Sequence, residues 1–437
     1  MKFSLYPARM VFAVVTLAAV VVSPKPASAG SSTYRTVYRF QGGSDGWLPA
    51  GVPAVDKDGN LYGVTSMGGL GPDFGTVYKL TAPQSRGGKW TKTVLYDFPG
   101  AQGIGSPASL ILGADGNLYG VVAAQTIFEL SAPKARGGMW KYHVLYTLNG
   151  NSDGASIVGN LVFDTEGNLY GAAGYGGDLG CDNGNGCGTV FKLKRPAKQG
   201  GKWHFSVLHA FTEKPDGALP YAGLTSDKKG NLYSTTTRGG SYDEGAIYRV
   251  SPPTKEDGDW TESVLYSFDP GNNLGSIPEG PVTLEGSGNI YGTAAYGGDL
   301  NCNGGFGCGV VFELAPPMHT DGAWTYTTLY DFQGGDDGTE PEGYLVYDSK
   351  GNFYSTTSHG GQPHGGTAFL LSPPANGGEW TETVLHSFPE NKEDGYGPIS
   401  GLTWGKWGDL YGVALFGGYG DGGYCFDGCG TVFELQP

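Results

Sequence analysis

The chain has 437 residues, 79 of them glycine, with 13% aromatic residues and a formal charge of −15. Aromatic content this high can bury a core, which excludes a disordered chain. The acidic balance, about −18 once Lys2, Arg9 and Lys25 are set aside, repels nucleic acid and anionic lipid and leaves room for cationic ligands.

The N-terminus reads as an export signal. Lys2 and Arg9 flank the start of an apolar run over residues 11–22, and Ala27-Ser28-Ala29 is a small-residue cleavage site. The run is too short to span a bilayer, and no second long apolar run follows. The expected organisation is a signal peptide over 1–29 and a single domain over 30–437, secreted or periplasmic, with no membrane span and no nucleic-acid partner.

Beyond the leader one motif keeps returning. Gly59-Asn60-Leu61-Tyr62-Gly63 comes back at Gly116, Gly167, Gly230, Gly288, Gly351 and Gly408, at steps of 57, 51, 63, 58, 63 and 57 residues. A period of this size marks a repeat architecture. Each repeat holds four short strand-like runs bounded by Gly, Pro, Asp and Asn, and no stretch shows a sustained helical period, so almost no helix is expected. The third run recurs as Thr76-Val77-Tyr78, Thr189-Val190-Phe191 and Thr431-Val432-Phe433. The fourth opens on Trp90, Trp140, Trp203, Trp260, Trp324 and Trp380 and closes on Phe98, Leu148, Phe211, Phe268, Phe332 and Phe388. Tryptophans recurring at one repeat position read as core aromatics between neighbouring sheets, with a ligand-stacking ribbon the weaker reading.

The ends complement each other. A fourth strand without its own repeat stands first, residues 33–40, with Ser32 in the Trp position. The last repeat stops after its third strand, residues 431–435. The first strand can complete the last sheet and close a ring. The expected fold is all-β, a seven-bladed β-propeller of four-stranded blades. A linear array would leave both ends unmatched.

The run GNLYG…GG…GTVFKL…P…GGxWTxTVLYxFxGxxDG resembles the tandem repeat of exported bacterial proteins known as GloVer repeats, the Gloeobacter–Verrucomicrobium type. The resemblance covers nearly all of the chain after the leader. It implies an exported protein defined by its repeat, with no catalytic residues to carry over. Related proteins often bear a C-terminal surface anchor. Here Gln436-Pro437 follows a strand directly, which favours a freely released protein.

Six cysteines form three close pairs, Cys181 with Cys187, Cys302 with Cys308 and Cys425 with Cys429. In an exported chain these read as local disulfides. A thiolate metal site fits less well, since no histidine lies beside them. The Asp56-Lys57-Asp58-Gly59-Asn60 stretch lacks the distal Glu of a calcium loop and reads as a hairpin turn. The link before each Trp lacks the Ser-x-Asp-x-Gly order of a sialidase Asp-box, so it implies no glycosidase.

In a four-stranded blade, the loops joining strands two to three and four to one share a face. That face gathers the cysteine loops and the Asp-Gly turns at Asp45, Asp153, Asp216, Asp337 and Asp394. It also gathers the residue five beyond each motif tyrosine: Met67, Ala124, Tyr175, Arg238, Tyr296, His359 and Phe416. Variable side chains on a common frame are how propellers present a binding surface. Glu279 and Glu342 enter the channel rim in adjacent repeats, with Tyr221 at the same place one repeat earlier. As a pair the carboxylates suit acid–base work or cation binding, against the plainer reading of two solvated glutamates. His209 and His386 stand where other repeats have Tyr and read as structural. His359 and His364 share a glycine-rich loop with no flanking carboxylate, an incomplete site, so neither metal nor cofactor is expected.

The leading reading is a monomeric, non-catalytic exported binding or scaffold module for an extracellular glycan, envelope component or protein, carried by Tyr175, Arg238, Tyr296, His359, Phe416, Tyr221, Glu279 and Glu342. The alternative is a propeller hydrolase or lyase acting at the channel mouth on a carbohydrate or small molecule. Fold alone does not choose between them.

Overall fold

The computed structural model describes residues 32–70, 74–99, 107–135, 137–198, 200–255, 258–319, 322–375, 377–390, 394–418 and 425–437. The expected signal peptide lies outside the described residues. Seven four-stranded antiparallel sheets follow one another around a ring. We number them blades 1–7 and call their strands a (inner) to d (outer). Blade 1 comprises Trp47–Val55, Leu61–Met67, Thr76–Thr81 and Thr91–Asp97. Blades 2 to 6 repeat this order, with outer strands Lys141–Thr147, His204–Ala210, Thr261–Ser267, Thr325–Asp331 and Thr381–Pro389. Blade 7 takes Thr403–Trp404, Leu410–Ala414 and Thr431–Gln436 from the C-terminal end and its outer strand, Thr33–Arg39, from the N-terminal end. The closing pair runs antiparallel from Thr33 opposite Gln436 to Arg39 opposite Thr431. Short 3-10 turns are the only helical elements among the described residues.

The repeated motif has a local cause at each position. In blade 1, the Asp56 carboxylate accepts the backbone N–H groups of Asp58 and Asn60, the Asn60 amide and the Tyr62 hydroxyl, all at 2.8–3.0 Å. Asp164, Asp227 and Asp348 do the same in blades 3, 4 and 6. Gly59, at φ +85°, makes the turn between strands a and b. The side-chain Oδ1 of Asn60 accepts the Ala82 N–H at 3.0 Å, tying that turn to the start of the link between strands c and d. The stretch is a hairpin braced by its own Asp.

The last glycine of the motif serves packing. A Cβ on Gly63 would collide with Tyr78, on Gly171 with Phe191, on Gly292 with Phe312 and on Gly412 with Phe433. The space it leaves lets the strand c ring lie against strand b. That ring is then met from the preceding blade by the aromatic that closes strand d. Phe40 packs edge-on against Tyr78, Phe98 against Phe128, Phe211 against Tyr248, Phe268 against Phe312 and Phe332 against Phe369, and Phe388 lies tilted against Phe433, with centroids 5.0–5.7 Å apart. All twelve rings are fully buried. At the remaining junction, Leu148 takes the place of Phe and packs in the cluster that holds Phe191. The tryptophans do what was expected of them: Trp90, Trp203 and Trp260 pack on the motif tyrosines Tyr411, Tyr119 and Tyr170 of the preceding blades. The core is therefore seven clusters, each at a boundary between two blades.

The outer strands add a second pairing at each junction. Stacked rings meet at four of them: Tyr96 on Tyr142, Tyr146 on Phe205, Tyr266 on Tyr326 and His386 on Tyr34. The other three are polar. Lys92 meets Asp45 at 2.7 Å beside Tyr38. His209 meets Asp216 at 3.0 Å beside Glu262. Glu382, 3% exposed, is buried against Asp337 and Tyr330. The closing strand makes the same kinds of contact as the others, and Ser32 donates to the Leu385 carbonyl of blade 6 while Arg35 pairs with Glu434.

Two outcomes follow. Phe40→Ala should destabilise the protein by about 3–5 kcal/mol in urea denaturation, as much as Phe268→Ala at an internal junction; a Phe40→Ala protein within about 1 kcal/mol of the parent would mean the ring is not closed there. Burial and the neighbouring Asp337 charge push the Glu382 carboxyl well above its ordinary value of 4.5. The folded state thus holds a proton that the unfolded chain has lost, so this contribution to stability is full below about pH 4.5 and declines as pH rises through the folded value. Glu382→Gln should flatten that decline and stabilise by about 1–2 kcal/mol at pH 8, measured as melting temperature against pH; a parallel decline in both proteins would contradict it.

Candidate functional site at the channel mouth

On the loop-rich face, six of the seven residues five beyond the motif tyrosine, all but Ala124, are held by a short ladder. Met67 lies opposite Trp47, Tyr175 opposite Ala155, Arg238 opposite Ala218, Tyr296 opposite Ser276, His359 opposite Thr339 and Phe416 opposite Tyr396. The varying residues thus sit at a fixed backbone position. Next to each ladder is a residue with positive φ: Leu48, Ser156, Leu219, Ile277 and Glu340 in blades 1, 3, 4, 5 and 6. An L-residue is strained there, a β-branched one most of all. The strain is offset by a hydrogen bond to the preceding blade. Leu48, Leu219 and Glu340 donate their N–H groups to the carbonyls of Cys429, Cys187 and Cys308 at 2.9–3.0 Å.

Those cysteines are disulfide-bonded in the three expected pairs, with Cα separations of 5.6, 5.4 and 5.1 Å for Cys181–Cys187, Cys302–Cys308 and Cys425–Cys429. Each closed loop holds the strained residue that leads into the next blade. In blade 6 that residue is Glu340, and Asn303 of the same disulfide loop donates to its side chain at 3.0 Å.

Glu340 supplies what the sequence reading said was missing. Its carboxylate lies 3.1 Å from Nδ1 of His359, so the expectation of a histidine without a flanking carboxylate is corrected. Ser358 Oγ lies 2.9 Å from the same nitrogen and 3.4 Å from the Glu342 carboxylate. Glu342 in turn borders two adjoining cavities. One, of about 310 Å³, lies at the mouth of the channel and is lined by Glu279, Glu342, Tyr221 and Tyr344 among others. The other, of about 300 Å³, is lined by Glu342, Ser358, His359, His364, Tyr396 and Phe416. Tyr344 is half-buried, and its hydroxyl reaches across to accept from the Asn160 amide of blade 3 at 3.0 Å.

The electrostatics are one-sided. Burial pushes the Glu342 carboxyl up to about 7, and the charges of Glu279 and Glu340 add to the effect. Burial, then Glu340, raises Glu279. Burial, then all three glutamates, raises the Tyr296 phenol. No lysine or arginine lines either cavity among the described residues. The structure therefore gathers Glu279, Glu342, Tyr221, Tyr296, His359 and Phe416 around one acidic mouth. Tyr175 joins them edge-on to Tyr221, with centroids 5.8 Å apart. Arg238 is occupied by Asp182 at 3.6 Å and Asp243 at 3.4 Å. Glu340 and Ser358 were missed. Aligning the repeats offers a signal for Glu340: it stands where blades 1, 4 and 5 have Leu48, Leu219 and Ile277.

Among solved structures, the chain is similar to PorZ, a bacterial surface component of the type-IX secretion system of Porphyromonas gingivalis, with a TM-score of 0.50 and 15% identity over 91% of this chain. The chain spans about half of that protein, 47% of its length. It is also similar to the WD40 β-propeller domain of Doa1, with a TM-score of 0.49 and 11% identity over 92% of this chain and 96% of that one. A Trichoderma reesei carbohydrate-active enzyme of family AA12 has a TM-score of 0.46 and 14% identity over 96% of this chain and all of that one. At these identities the likeness bears on fold alone. No curated protein matches. The model of the Gloeobacter/Verrucomicrobia repeat matches residues 23–199 and 125–306, well over half of the chain. The chain belongs to the Gloeobacter/Verrucomicrobia repeat family.

Proposed function

We propose that this is an exported propeller that binds a glycan bearing amino sugars at its channel mouth. The observation that carries the reading is the convergence of Glu279 and Glu342 on cavities that no lysine or arginine lines among the described residues, with the charge of Glu340 close behind them. Carboxyls held above their usual range are short of positive charge, and an ammonium group on a ligand would relieve them. Around the acids stand rings suited to sugar faces: Tyr175 with Tyr221, Tyr296 with Phe306, and Tyr396 stacked on Phe416 at 5.3 Å. A pocket of a few hundred cubic ångströms with aromatic walls and a few placed polar groups is the usual form of a small-ligand site. Export follows from the leader over residues 1–29.

A second reading has its own observation. Glu342, raised to about 7, faces the same cavity as Glu279. A carboxyl that holds its proton near neutrality beside another carboxylate is the arrangement used for acid–base cleavage of glycosidic bonds. If cleavage occurs, its rate should change as Glu342 titrates through about 7.

Binding is tested with the protein lacking residues 1–29 on an array of glucosamine oligomers and their N-acetylated counterparts. The deacetylated oligomers should bind more tightly, and Glu342→Gln and Tyr221→Ala should each weaken binding by about tenfold, the scale of one charge-assisted contact or one buried aromatic. Equal binding of both oligomer sets, or binding indifferent to both substitutions, would refute the proposal. Release of shorter oligomers on prolonged incubation, abolished by Glu342→Gln, would move the protein to the second reading.

A further inference from the structure

Outside the mouth, at the junction of blades 3 and 4, three side chains meet in a way no other junction repeats. His209 stands on the outer strand of blade 3 and Glu262 on the outer strand of blade 4. Asp216 lies in the link that follows blade 3. One ligand atom from each, the imidazole nitrogen and two carboxylate oxygens, all lie within 4.8 Å of one another. His209 Nε2 is 3.0 Å from Asp216 Oδ2, and the backbone N–H of Thr212 holds the same oxygen at 3.1 Å. Glu262 Oε1 is shielded from solvent and has no hydrogen-bond partner. A carboxylate oxygen withdrawn from water without a donor is costly, and the donor it lacks is not supplied by either neighbouring blade.

The other junctions show what this position does when it only packs. Four carry stacked rings. One carries a lysine that satisfies its Asp. One carries a glutamate, Glu382, that faces Asp337 and Tyr330 with no nitrogen ligand nearby. Only at the blade 3–4 junction does a histidine face a glutamate across a shared aspartate. The other mixed group, Cys181, Cys187 and Glu213, offers no thiolates, because its sulfurs are bonded to each other.

We infer that His209, Asp216 and Glu262 form a binding site for a divalent transition-metal ion that pins blade 3 to blade 4 in place of the stacked rings used elsewhere. One imidazole nitrogen with two carboxylate oxygens is a donor set that zinc accepts in tetrahedral geometry, with a fourth place for water. Imidazole favours a transition metal over calcium or magnesium, which take oxygen ligands throughout. The metal takes the Nε2 lone pair of the neutral His209 imidazole and gives Glu262 Oε1 its missing partner.

The test uses the protein lacking residues 1–29, stripped with a chelator and dialysed, and zinc chloride as the probe. Calorimetry should show a single saturable site, and zinc should raise the melting temperature. Glu262→Gln and His209→Tyr should abolish both effects, while Glu382→Gln, at a junction without a nitrogen ligand, should leave them intact. His209→Tyr places there the residue that other blades use, so a folded variant is expected, and its circular dichroism in chelator confirms that. Absence of zinc binding, zinc binding unchanged in the two variants, or binding of calcium chloride but not zinc would each overturn the inference.

Discussion

The structure depends on one repeated contact, made at six of the seven junctions: the closing phenylalanine of an outer strand set at a steep angle against the third-strand ring of the next blade. Aromatic pairs in this geometry contribute beyond the area they bury, and here they lie where no single blade could bury them alone. A four-stranded blade has two faces and no core of its own, so its apolar side chains are shielded only by its neighbours. The motif glycine is part of the same contact, because it gives the third-strand ring room to lie flat. The arrangement also explains why the chain must close. An open end would expose a Phe without a ring, or a ring without a Phe, and Phe40 against Tyr78 removes that end.

A frame made of junctions leaves the loop face free to vary. The short ladders fix where the varying residues stand, and the three disulfide loops fix the strained residue that leads into the following blade. Blade 6 uses that strained position for a glutamate. As a result, Glu340 points to His359 while Glu342, two residues on, faces the channel. The concentration of acid at this mouth has no internal counter-charge among the cavity linings. Several acids elsewhere do have a cation: Glu434 pairs with Arg35, Asp409 with Arg86 and Asp45 with Lys92. The contrast is the physical reason for placing a ligand, rather than a structural role, at the mouth.

The fold was legible because its determinants are local and repeated. The Gly-Asn-Leu-Tyr-Gly spacing, the Trp and Phe that bracket strand d, and the mismatch of the two ends all stand in the sequence, and the strand pairing of Thr33 with Gln436 follows from them. The cysteine pairs were legible for the same reason. Much of the mouth was also visible, since Glu279, Glu342 and Tyr221 share one repeat position. What escaped was contact between repeats. Glu340 carries no mark of its own in the sequence, and His359 seemed to lack a carboxylate, because their meeting depends on a positive φ and a hydrogen bond to Cys308 that no motif announces. His209 read as a substitute for tyrosine, since its partner Glu262 lies 53 residues on, in the next blade. In a ring of repeats, the frame is written within the period and the sites are written across it.

Amide hydrogen exchange across the whole chain measures the closing contact most directly. If the ring is closed through Phe40 and the N-terminal strand, the amides of Thr33–Arg39 that pair with Thr431–Gln436 exchange only through global unfolding, at the rate of the outer strands in blades 3 to 6. Exchange of Thr33–Arg39 at the rate of the surface loops, with blades 1 to 6 still protected, would show that the N-terminal strand is an appendage and that the ring does not depend on it.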